Sequence, residues 1–113
     1  MDVEAAIIKF LAEKTLMPVY AEVPNPRPDE FITVELLGGD GMPYIDHPQV
    51  AVQAWAQSRY QAQQNARKIQ AFMFCLPYEI ENVMGCTCNT LTNLPDPDSK
   101  TPRYQGLYDL STC

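Results

Sequence analysis

The sequence predicts an α+β fold in two layers, with an antiparallel sheet of about four to five strands and two helices packed on one of its faces. Three observations lead there. Apolar residues recur with a helical period in two stretches, they alternate with a period of two in three others, and prolines and glycines cluster between them. With 113 residues, 46% of them hydrophobic, the chain is sized for one domain, residues 1–113, with a core of its own.

The first helix is expected over residues 2–14. Val3, Ala6, Ile7, Phe10 and Leu11 fall at i, i+3, i+4, i+7 and i+8, which makes one apolar stripe. Asp2 can accept from the first turn, and Pro18 lies just past the end. Its polar face mixes Glu4, Lys9, Glu13 and Lys14, whereas a membrane-surface helix would carry a basic one. Residues 19–23 read as a short edge strand, because Pro24, Pro26 and Pro28 follow and cannot donate to a ladder.

Residues 31–37 alternate, with Ile32, Val34 and Leu36 on one face and Phe31, Thr33 and Glu35 on the other. A Gly/Pro loop over 38–48 ends that strand. Residues 50–56 form a second strand, with Val50, Val52 and Ala54 opposed to Ala51, Gln53 and Trp55. Ser58 followed by Gln61 fits a capping box for the second helix. Ala62, Ala66, Ile69, Met73 and Leu76 form its stripe, and Pro77 is expected to stop it. Two further strands are expected at 81–92 and 103–110, joined by the turn chemistry of 94–99.

Composition excludes several functions. Fourteen acids against eight bases give a net charge of −6 with no Lys/Arg cluster, so the chain lacks the basic face that grips phosphates. No apolar run approaches the ~20 residues of a membrane span. The opening MDVEAAIIKF carries acids where a signal peptide carries bases, so a soluble protein made in the cytoplasm is expected. Cys75, Cys86, Cys88 and Cys113 are then expected as reduced thiols, the C-x-C pair being short of a zinc set.

Chemical motifs fail one by one. The glycines at 38, 39 and 41 lack a P-loop lysine and hydroxyl, and Asp96 with Asp98 lacks the remaining ligands of a calcium loop. His47, the single histidine, sits beside Asp46 and Pro48 in a loop, with no nucleophile placed near it by spacing. No catalytic residue, cofactor or metal site is expected. The sheet face away from the helices, carrying Phe31, Gln53 and Trp55 with Tyr108 or Leu107, is expected instead as an open aromatic interface.

Three stretches carry a resemblance that spans most of the chain. They are RPDEF at 27–31 leading to the glycines, VAVQAWA at 50–56 running into SRYQA at 58–62, and PDPDS at 95–99 followed by TPRYQ at 101–105. Together they resemble the tail terminator or tail completion proteins of tailed phages, the lambda-like kind. The resemblance implies a small α+β domain that assembles into a hexameric ring, caps the tail tube and joins the tail to the filled head. It implies partners in the tail tube protein and the head-tail connector proteins, a place in the virion neck, and passage of DNA without specific binding. It offers scaffold and interface residues and no catalytic ones.

On that basis Phe31, Gln53, Trp55, Arg27, Arg103 and Tyr104 are the expected oligomer-interface residues. Asp40, Tyr44, His47, Asp96 and Asp98, in the loops 38–48 and 94–103, are the expected docking residues. A head-tail connector or head-closure protein of the neck is the alternative, and a cytosolic protein-binding module a further one.

Overall fold

A computed structural model describes residues 2–38 and 46–113. The expected docking residues Asp40 and Tyr44 lie outside those described. The elements run α1 (Val3–Thr15), β1 (Val19–Tyr20), β2 (Phe31–Gly38), β3 (Gln49–Trp55), α2 (Arg59–Met73), α3 (Leu76–Glu79), β4 (Val83–Asn93) and β5 (Arg103–Thr112). The five strands form one sheet in the order β1-β2-β3-β5-β4. This is the expected α+β architecture, with two departures: β1 runs parallel to β2, while the other three pairings are antiparallel, and a four-residue helix, α3, follows the two expected helices.

Local chemistry explains the helices. Asp2 accepts from the Ala5 amide at 3.0 Å and caps α1, and Leu16 closes it in the left-handed conformation at φ 60°. Ser58 caps α2 by accepting from the Gln61 amide at 3.1 Å. The Gln61 side chain does not reach back, and instead donates to Asn65 at 3.0 Å, so the box is half-made. Pro77 does not stop α2, which ends at Met73; it sits in the first turn of α3, where its missing N–H costs nothing.

Val3, Ile7, Phe10 and Leu11 of α1 and Ala66, Ile69 and Met73 of α2 meet Ile32, Val34, Val50, Val52 and Ala54 of the sheet in one core. Tyr108 and Leu110 of β5 complete it. The helical stripes therefore cover the face that the alternation assigned to them. Leu36 is the exception on β2 and is exposed, because the far end of that strand runs out from under the helices. There Glu4 of α1 accepts from the Leu36 amide at 2.9 Å and closes an edge that β1 is too short to reach.

Gly106 has a packing reason on β5. A Cβ built there would lie 2.6 Å from Cε2 of Tyr108, so the buried tyrosine ring fills the space a side chain would need. Among the described residues no hydrogen-bond partner meets the Tyr108 hydroxyl. Burial, with Cys88 and Cys86 beside it, pushes its pKa up.

Candidate assembly surface

The face away from the helices is a polar and aromatic ladder. Register places Phe31 opposite Trp55, Thr33 opposite Gln53, and then Gln105 and Arg103 opposite those two β3 residues. Thr33 Oγ1 donates to Gln53 Oε1 at 2.8 Å and accepts from Trp55 Nε1 at 3.0 Å. Gln53 Nε2 donates onward to Gln105 Oε1 at 2.7 Å. Lower down, Asp109 accepts from Gln49 at 3.2 Å and from Asn89 at 2.6 Å. Every polar group named here finds its partner across the strands, which is how a half-covered sheet face keeps its register.

At one end of this face the chain closes over its own aromatics. Phe31 and Trp55 stack with centroids 5.2 Å apart and planes 12° from parallel, and each is only 1% exposed. The Arg103 guanidinium carbon lies 4.9 Å from the Trp55 ring centre and that of Arg27 5.3 Å. Both distances lie within the range of a cation–π contact. Phe31 and Trp55 are therefore not an open patch, as the alternation alone suggested. The physical reason is local cover: Arg27 and Arg103 lie over the indole, and Tyr20 meets the Phe31 ring edge-on at 6.2 Å.

Each polar residue of the RPDEF stretch has a task in that closure. Arg27 donates to Ser99 Oγ at 2.9 Å and lies 3.8 Å from the Asp96 carboxylate. Asp29 accepts from Gln57 at 2.9 Å, and Glu30 accepts from the buried Asn65 of α2 at 2.7 Å. Arg103 Nε donates to the Leu94 carbonyl at 2.7 Å, tying the other side of the 94–102 turn. The Ser99 hydroxyl and amide both donate to Asp96, and these bonds, more than the nearby Arg27 and Arg103 charges, hold its pKa below the ordinary 3.8. Asp98 is exposed at the tip of the same turn.

The other expected interface residues divide. Gln53 and Arg103 lie on the open face and are half-buried. Tyr104 does not: it pairs with Ala54 and packs against the helix-side core, because it is one residue out of phase with Arg103. His47 is exposed, and its amide donates to Asp46 at 2.9 Å. Leu107, rather than Tyr108, shares the open face.

Sequence reasoning missed Thr33, Asn65, Ser99 and Thr101, polar residues with partners far away in the chain: Gln53, Glu30 and, for the last two, Arg27. Beside the clamp opens a cleft of about 480 Å³ lined by Arg27, Asp29, Gln57, Ser99 and Lys100 among others. The cysteines are all free thiols, and burial, with Cys88 and Asp109 nearby, pushes Cys86 up to about 12. Among the described residues no group of three or more His, Cys, Asp or Glu side chains could hold a metal ion. No protein-family model matches the chain, and no curated protein matches it in sequence.

Proposed function

We propose that the chain is a virion structural protein, a tail terminator or tail completion protein of a phage or prophage. It closes into a ring, hexameric by the resemblance, that caps the tail tube and joins tail to head. One observation carries this reading: the three stretches that bear the resemblance, far apart in sequence, converge on one end of the sheet. RPDEF, QAWA and PDPDS-TPR meet at the Trp55 clamp through Arg27, Asp96 and Arg103. This convergence supports reading the three stretches as one scaffold, and Asp98 and Lys100, in the turn beside it, are exposed.

The ring contact uses the polar ladder of the open face and the turn 94–102. Trp55 stays inside each subunit. Such a mix of satisfied amides with few charges at the centre suits a subunit contact. Six copies of a chain with net charge −6 carry about −36, which favours a channel that DNA traverses without adhering. The place of action is then the neck of the virion, reached by assembly in the bacterial cytoplasm.

The test is tail-tube polymerisation in vitro with this protein added. The reading predicts tubes arrested at fixed length with one ring at the end, visible by electron microscopy. Tubes that grow unimpeded would contradict it, and a ring that binds only portal-side proteins would assign the chain to the connector role.

A further inference from the structure

The two edges of the sheet are treated differently. On the β1 side the edge strand is two residues long, prolines follow it, and Glu4 occupies the next free amide of β2. On the other side β4 runs for eleven residues, Val83–Asn93, without a single charge or proline. Edge strands are normally blunted by such residues, and a long uncharged edge is a template for another strand.

The register identifies which peptide groups are open. Leu110 and Thr112 of β5 donate to Pro48 and Asp46, whereas Arg103 accepts from Leu94 and Cys113 donates to Asn82. Even-numbered residues of β5 thus turn their peptides toward β3 and odd-numbered ones toward β4. The β4 residues opposite the even positions from 104 to 110 are Cys86, Cys88, Leu91 and Asn93, so their N–H and C=O groups point away from the sheet. Among the described residues no strand lies beyond them.

We infer that the outer edge of β4 is a strand-addition site for the β4 of a second copy of this chain. The spacing is self-complementary. An antiparallel two-fold between Asn89 and Thr90 places Cys86 against the partner's Asn93 and Cys88 against the partner's Leu91, so outward groups meet outward groups throughout. The irregularity between Cys88 and Thr90 falls on the axis, where both strands depart from regularity together. Charge selects the same contact: copies of a −6 chain repel, and β4 is a strip where two can approach without opposing like charges. The contact is isologous and joins two copies only. It is separate from ring closure and does not rest on it.

The same axis sets Thr87 opposite the partner's Thr92. Both are exposed and both lie on the open face, opposite Asp109 and Gln105. Like charges placed there would face one another, and opposite charges would pair. The experiment is hydrogen exchange by mass spectrometry on the reduced protein over a concentration series. It uses the wild type, Thr87→Lys/Thr92→Lys and Thr87→Lys/Thr92→Glu. Amides of Cys86, Cys88, Leu91 and Asn93 are expected to slow as wild-type concentration rises. The double lysine is expected to lose that slowing, and the lysine–glutamate variant to keep it. Exchange at these amides that is independent of concentration in the wild type would overturn the inference. So would slowing that survives the double lysine, or slowing that both double variants lose.

Discussion

Trp55 and Arg103 are cross-strand partners, and the Arg103 guanidinium carbon lies 4.9 Å from the centre of the Trp55 ring. The Arg103 side chain is also fixed by its bond to the Leu94 carbonyl. The indole thus joins β2, β3, β5 and two loops, through Thr33, Phe31, Arg103 and Arg27.

Trp55→Ala is therefore expected to destabilise the folded subunit itself, by roughly 3–5 kcal/mol, as truncation of a buried aromatic does. Urea unfolding at a concentration where the protein is monomeric measures it. A variant as stable as the wild type that merely fails to assemble would return Trp55 to the surface.

Arg27→Glu puts a negative charge in place of the guanidinium that lies 3.8 Å from the Asp96 carboxylate, and removes the bond to Ser99. Both residues are partly exposed, so the loss is modest and smaller at high salt. Faster amide exchange in residues 94–102, suppressed by salt, is the expected readout.

Asp96 makes the same turn sensitive to acid. Its carboxyl is held below 3.8 in the folded chain, chiefly by the Ser99 hydroxyl and amide. The stabilisation is whole above the unfolded value and fades as pH falls through the lower folded value. NMR titration should show the Ser99 and Lys100 amides shifting below pH 3.8. Asp96→Asn should abolish that dependence.

In β5, Gly106 and Tyr108 occupy one volume. Gly106→Ala should cost about 1–3 kcal/mol by overpacking. Tyr108→Phe should be neutral or stabilising by up to about 1 kcal/mol, because it removes a buried hydroxyl that has no partner. Thermal unfolding of the two variants compares them directly.

The layers and face assignments were legible because Ile32, Val34, Val52 and Ala54 alternate cleanly and α1 carries a clear stripe. The aromatic face misled because alternation tells which residues share a side, not what folds over it. Trp55 lies under Arg27 and Arg103, and the course of the stretch 27–30 depends on partners at Ser99, Gln57 and Asn65. Those contacts span up to 72 residues of sequence separation and leave no local signal. The parallel β1 was equally hidden, since a two-residue strand has no period to read. Tyr104 differs in kind: it shares its phase with Tyr108 and Leu110, and the alternation of β5 left open whether that set or the Leu107 set met the helices.

Closure of a ring is the central claim, and native mass spectrometry across a concentration series tests it most directly. The wild-type protein is the sample to use, because Thr87 and Thr92 lie on the open face that the ring contact uses. The account predicts a closed six-copy species that persists on dilution. A monomer at every concentration would contradict it.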